Sequence, residues 1–315
     1  MKRSGFLLSA AAVWRDHWEL VKGRLALLVV FSAGSGYALA SGPSNPTTLL
    51  ATLVGTFLAA AGALALNQAL EVERDRLMAR TASRPLVTGA LPRWYGYLLG
   101  VVLALAGLTL LAAKTRVLAA LLGLAVVVLY VFVYTPLKSR SPYCTLVGAV
   151  CGALPPMMGW SAASGGLSLG AVLLAALLFF WQVPHFLSLA WLFREDYSRG
   201  GFRMLPQVDP GGSLTGRLAF LYALATVGTT AALVFAQLTG LYFAAGALIL
   251  GVLLVVPAWR LAQAPNDRRA RGLFRMTLAY LPLLMALMVW DRGPVTSPFA
   301  QEKVSQARVE RFARD

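Results

Sequence analysis

Asn67, Glu71 and Asp75 are spaced i, i+4 and i+8 at the end of a long apolar run, Leu49 to Leu66. On a helix that spacing sets all three side chains along one face. Oxygen donors arranged this way suit a hard cation such as Mg²⁺, which completes its shell with water and substrate phosphates. Arg80 and Arg84 follow in the same stretch, and a guanidinium can grip phosphate oxygens in a bidentate way. Acids for a metal followed by bases for a phosphate point to a site for a metal–diphosphate ligand. The plainer alternative is a solvated charged loop whose Glu and Arg side chains pair weakly. Against it, the acids begin inside the end of a hydrophobic segment, and Asn67 has no obvious cap or turn role.

Two further patches carry polar chemistry. Tyr134-Thr135-Pro136-Leu137-Lys138-Ser139-Arg140 closes a later apolar run. There Lys138 and Arg140 fit a diphosphate, and equally a basic anchor at a membrane surface. The next run holds Gly148, Gly152, Pro155, Pro156, Gly159 and Trp160. Small residues let helices approach closely and a double proline frees backbone carbonyls. A bent helix beside a large ligand and simple tight packing both fit that pattern. Trp181-Gln182-Val183-Pro184-His185-Phe186 then puts an ionisable group inside a long apolar run. Such a group is a functional signal by default, with a hydrogen-bonded core histidine as the alternative. Asp196, between Glu195 and Tyr197, stands where a second Mg²⁺ opposite the first cluster would need a ligand. Metal ions on both sides would neutralise charge developing on a departing diphosphate.

The elements that must position these patches are membrane helices. Charged residues make up 13% of the 315 and hydrophobic ones 58%, with a mean hydropathy of +0.68. Soluble domains carry about a quarter charged residues, so the composition is that of an integral membrane protein. The net charge of +15 therefore marks membrane-flanking loops and not a nucleic-acid partner. Spans of about 20 apolar residues are expected at 25–41, 48–70, 95–113, 117–134, 144–163, 168–191, 217–238, 240–259 and 273–290, nine in all. With the N-terminus inside, the cytoplasmic segments hold twenty Lys and Arg and the outer segments seven, five of them in the tail. This places the chain in the cell membrane with the three chemistry-bearing loops, 71–94, 135–143 and 192–217, all cytoplasmic. Residues 1–24, with Trp14 and Trp18 one turn apart, read as a surface segment. Residues 25–291 read as one transmembrane domain, and 292–315 as a basic tail without a packed core. Cys144 and Cys151, two turns apart on one helix, are about 10 Å apart, too far for a disulfide, and read as packing residues.

Taken together, the patches resemble the UbiA superfamily of intramembrane prenyltransferases, and within it the haem-using branch. Asn67, Glu71, Glu73, Asp75, Met78, Arg80, Thr81, Arg84, Pro85 and Leu86 follow its first motif, NxxxDxDxD…MxRTxxRPL. The second motif, YTxxLKR…GxxxGAxPPxxGW, is matched from Tyr134 to Trp160, and the third, WQxPHFxxLA…DYxxxGxxMLP, from Trp181 to Pro206. The likeness covers roughly residues 16 to 210, and the PHF segment joined to DY…MLP selects the haem-using branch. Three departures stand out: Glu71 for aspartate, Cys144 for a common asparagine, and Leu192 where many relatives carry another acid. The resemblance implies a nine-helix bundle whose central cavity opens to the cytoplasm and laterally to lipid. It implies transfer of farnesyl from farnesyl diphosphate to the 2-vinyl group of haem B, with addition of water. Mg²⁺ is then expected on Asn67, Glu71, Asp75 and Asp196, with Arg80, Lys138 and Arg140 at the leaving oxygens. Trp181, Tyr197 and Arg84 complete the expected substrate contacts, His185 is assigned to the haem side, at the iron or a propionate, and haem A synthase or oxidase assembly factors are expected downstream. A relative using another aromatic or tetrapyrrole acceptor, and a transporter with an intramembrane polar site, remain as alternatives.

Overall fold

The structure, a computed structural model, describes residues 2–40 and 45–292, with the side chains of residues 2–9 excluded. The basic tail expected at 292–315 thus lies, but for Arg292, outside the described residues. These form an all-helical bundle in which α1 (Lys2–Leu20) and α2 (Gly23–Leu39) lead into α3 (Pro46–Asp75). A single turn, α4 (Pro85–Thr88), precedes α5 (Arg93–Lys114) and α6 (Val117–Val128). The latter continues through a π-helical stretch, Leu129–Tyr134, into the turn α7 (Thr135–Leu137). Then come α8 (Cys144–Ser164), α9 (Leu169–Leu192) and two short helices, α10 (Arg194–Arg199) and α11 (Leu205–Val208). The bundle closes with α12 (Ser213–Phe235), α13 (Leu241–Gln263) and α14 (Asp267–Trp290).

Eight helices among the described residues are long and apolar enough to cross a membrane. A ninth span comes from α1 and α2 taken together, which meet at a 53° bend. Lys22 makes that bend, with a left-handed φ of 46°. The span expected at 25–41 therefore starts two residues earlier, and its upstream flank is a helix that turns away at Lys22.

Helix α3 organises the site because it overshoots. Asn45 caps it, accepting from the backbone N–H of Thr47 at 2.9 Å and Thr48 at 3.3 Å, with Pro46 in the first turn. Its 30 residues span about 45 Å, against roughly 30 Å of hydrocarbon. The helix is thus longer than a bilayer core requires, and its surplus falls in the C-terminal turns that carry Glu71 and Asp75. A seam of small residues fixes which way they face. A Cβ added to Gly62 would strike the backbone of Ala104 and Gly100, and one added to Gly107 would strike Ala59 and Gly55. In lipid such close backbone approach replaces the hydrophobic effect as the force joining helices. A second contact of this kind joins α2 to α8, where Gly36 and Gly159 lie against the backbones of Pro156 and Ala33. The Gly/Pro-rich run thus serves packing at Gly159, while its Gly152 lies directly against the Gln182 side chain, and both line one cavity.

Gly62→Val and Gly107→Val should each destabilise the bundle by about 1–3 kcal/mol, the usual cost of overpacking. Gly228→Ala, with open space around its Cβ position, should leave stability unchanged or slightly raised. Thermal unfolding in detergent measures both.

Candidate active site

Three oxygen-bearing side chains on α3 meet three cations from three other segments. Asn67 is fully buried, and its Oδ1 accepts from Lys22 Nζ at 2.9 Å. Glu71, 4% exposed, pairs with Lys138 Nζ at 2.6 Å. Asp75, 1% exposed, pairs through Oδ2 with Arg84. Carboxylates this deeply buried require charged partners, and here each has one. Lys22 lies at the α1–α2 bend, where its Nζ reaches across to α3.

The π-helical stretch supplies the orientation of Asn67. Thr135 Oγ1 donates to the Tyr130 carbonyl at 2.8 Å and accepts from Asn67 Nδ2 at 3.0 Å. With the amide nitrogen so held, Asn67 Oδ1 is turned toward Lys22 and the mouth. π-bulges of this kind recur at functional sites. This one also stacks Tyr130 on Tyr134 at 5.1 Å, with Lys138 Nζ 5.1 Å from the Tyr134 ring centre.

The residues fit a divalent cation on one direct observation. Asp75 Oδ1 is buried with no hydrogen-bond partner, so a hard-oxygen ligand position stands unsatisfied on the face that also bears Glu71 and Asn67. The set comprises two carboxylates and an amide. No group of three His, Cys, Asp or Glu residues suited to a metal occurs among the described residues. An incomplete protein shell of this kind matches Mg²⁺, which binds through one or two carboxylates and keeps water and phosphate as further ligands.

Two cavities adjoin the cluster. A cationic mouth of about 550 Å³ is lined by Arg15, Lys22, Arg24, Arg80 and Arg84 among others. An apolar cavity of about 200 Å³ runs inward between Leu25, Leu64, Tyr130, Tyr134, Gly152 and Phe186. Leu25 lines both, so a polar head at the mouth and an apolar tail inside would be contiguous.

The three chemistry-bearing loops do meet at this end. Arg74 donates to the carbonyls of Gly200 and Gly201, and Arg203 N donates to the Lys138 carbonyl at 2.7 Å. Asp196, 8% exposed, accepts from the backbone N–H of Ala79 and of Arg80, both at 3.2 Å, and pairs with Arg199. Oδ1 is shared between Ala79 and Arg199, while Oδ2 accepts only from Arg80 and keeps a lone pair. Arg80 lies over the rings of Phe193 and Tyr197. Arg140 is exposed and its guanidinium has no hydrogen-bond or ion-pair partner among the described residues. Trp181 and His185 stand apart from the acidic cluster, against α14. Trp181 Nε1 donates to the Thr277 carbonyl and His185 Nδ1 lies 3.0 Å from Thr277 Oγ1.

Sequence reasoning missed Lys22 and Thr277. Lys22 sits 45 positions before its partner Asn67, in the stretch read as a surface segment. Thr277 belongs to the span expected at 273–290, 92 positions after its partner His185.

Lys138→Met would leave Glu71 buried without its cation. It should destabilise the metal-free protein by about 3–5 kcal/mol, and adding Glu71→Gln should recover most of the loss. Unfolding measurements on the single and double variants in detergent check this.

The chain matches the UbiA prenyltransferase family over residues 27–281. It is 40% identical over 288 residues to a protoheme IX farnesyltransferase from Solibacter usitatus, covering 88% of this chain and 99% of that one. Among solved structures, a digeranylgeranylglyceryl phosphate synthase aligns with a TM-score of 0.75 at 15% identity, over 88% of this chain and 98% of the other. A UbiA homolog from Archaeoglobus fulgidus bound to GPP and Mg²⁺ aligns at 0.65 and 15% identity, over 87% of this chain and 99% of its own. The chain is a multi-pass membrane prenyltransferase of the UbiA family, and within that family it belongs with the protoheme IX farnesyltransferases.

Proposed function

We propose that the protein transfers the farnesyl group of farnesyl diphosphate to the 2-vinyl group of haem B and, with addition of water, makes haem O. The observation that carries the site assignment is the buried face of Asn67, Glu71 and Asp75, opposed by Lys22, Lys138 and Arg84 where a cationic mouth adjoins an apolar cavity. A diphosphate head fits the mouth and an isoprenoid chain fits the cavity. The name of the Solibacter relative supports this acceptor and donor, and the ligands of the Archaeoglobus homolog support a prenyl diphosphate held with Mg²⁺.

Asn67, Glu71 and Asp75 would hold Mg²⁺, which when bound supplies positive charge to the departing diphosphate. Lys138, Arg84 and Arg80 turn from their present partners to the phosphate oxygens, where charge grows as the C1–O bond breaks. The electron pair leaves with the diphosphate, and the apolar walls keep water from the allylic cation. The stacked faces of Tyr130 and Tyr134 offer electron density to that cation. The vinyl group then supplies the electrons of the new C–C bond. Water adds to the carbocation left on the haem side chain, and a proton is lost.

We place the mouth on the cytoplasmic side of the plasma membrane, on the excess of Lys and Arg in the loops at that end. The polar residues of the site gather at one end of the bundle instead of forming a track across it, which disfavours a transporter.

Incubation with haem B, farnesyl diphosphate and Mg²⁺ should yield an extractable haem with the mass and retention of haem O. Diphosphate release without that product would move the reading to another acceptor. Asp75→Asn should lower turnover by roughly 100-fold or more, the scale of losing one group that stabilises leaving-group charge. A chelator should abolish turnover. Arg140→Gln should cost less than Lys138→Gln, given their different burial. Single-turnover haem analysis separates these cases.

A further inference from the structure

We propose that Thr277 is a positioning residue that fixes the tautomer of His185 and directs its Nε2 lone pair to the iron of the acceptor haem. The inference rests on the reading of His185 as a haem-side residue, and it follows from hydrogen-bond bookkeeping. Thr277 is fully buried, and its Oγ1 lies 2.7 Å from the Phe274 carbonyl. A carbonyl oxygen has no proton to give, so the hydroxyl donates that bond and its single hydrogen is spent. The contact between Thr277 Oγ1 and His185 Nδ1, 3.0 Å long, must then be donated by the imidazole. His185 therefore carries a proton on Nδ1, and in the neutral ring the lone pair is on Nε2, which has no hydrogen-bond partner among the described residues.

The ring is also held in plane. Trp181 stacks on it at 5.3 Å and 18°, and Phe274 at 5.1 Å and 27°. Trp181 is itself tied to the Thr277 carbonyl at 3.1 Å. One residue of α14 thus orients both polar aromatic groups of this turn of α9. A neutral imidazole whose second nitrogen donates to a fixed acceptor is the form in which histidine binds metals, and the outer bond sets its orientation and basicity. A histidine serving only to join α9 to α14 would need neither a free Nε2 nor a sandwich of rings, since Trp181 already makes the join. His185 is half-buried, which leaves part of the ring accessible.

The test reads haem ligation and not turnover. Ferric haem B is titrated into the purified protein in nanodiscs, and the Soret band and electron paramagnetic resonance report the axial ligand. The wild-type protein and Thr277→Ser should show imidazole ligation, and His185→Ala should lose it. The near-isosteric Thr277→Val should bind haem roughly tenfold more weakly with an altered ligand-field spectrum, the scale of removing an outer-shell partner. Should Thr277→Val match wild type while His185→Ala loses the signature, Thr277 has no positioning role, although His185 keeps its place. If wild type lacks imidazole ligation, or His185→Ala leaves it unaltered, the haem-side reading fails and the role of Thr277 with it. Nitrogen-15 NMR of histidine-labelled protein needs no variant at Thr277. The chain has two histidines, so His17→Gln assigns the signals, and an Nε2–H tautomer at His185 overturns the proposal.

Discussion

Everything at the mouth of this bundle answers to the difficulty of taking Glu71 and Asp75 out of water. An ionised carboxylate loses several kcal/mol of solvation when buried, and attraction to a partner repays this only where the geometry is good. The chain answers with Lys138 and Arg84, one cation per acid, and adds Lys22 against the neutral Asn67. The cations come from three separate segments, so satisfying the acids also ties the α1–α2 break, the loop after α3 and the turn α7 into one unit. Stability and readiness for ligand thus share the same contacts. A ligand bearing both a divalent cation and a diphosphate can exchange with them pairwise, metal for ammonium and phosphate for carboxylate. No charge need then be stranded in a medium of low dielectric.

Around that cluster the division of labour follows from what lipid does and does not provide. Helix association in a bilayer cannot lean on apolar burial, because lipid tails are as apolar as leucine. The seam of Gly55, Gly62, Gly100 and Gly107 is the response, and it frees the large apolar side chains for the lipid face and the cavity wall. Beyond the seam, the mouth is closed by backbone chemistry. Asp196 holds the amides of Ala79 and Arg80, and Arg74 holds the carbonyls of Gly200 and Gly201.

How much of this was legible in the sequence depended on range. Asn67, Glu71 and Asp75 could be read because a helix makes i and i+4 neighbours in any context. The spans could be read because hydrocarbon imposes their length. The choice of Lys138 over Arg140 as the inward cation could not, since both lie in one short turn and only the folded path of α7 buries one and exposes the other. Lys22 and Thr277 were out of reach for the same reason, each meeting its partner across a helix–helix contact of long sequence separation. The paired oxygens of Asp196 are similar: an acid at a loop end looks alike from sequence whether it awaits a metal or holds two amides.

Helix α3 bears both the seam and the acids, with only four residues between Gly62 and Asn67. Those residues act as a rigid shaft, and each turns the helix by about 100°. The angular phase between the packing face and the ligand face is therefore an integer property of the chain. A conservative exchange of side chains along the shaft preserves it, whereas the loss or gain of one residue would swing Asn67, Glu71 and Asp75 away from their cations together. The length of that interval is as much a part of the site as the side chains it carries.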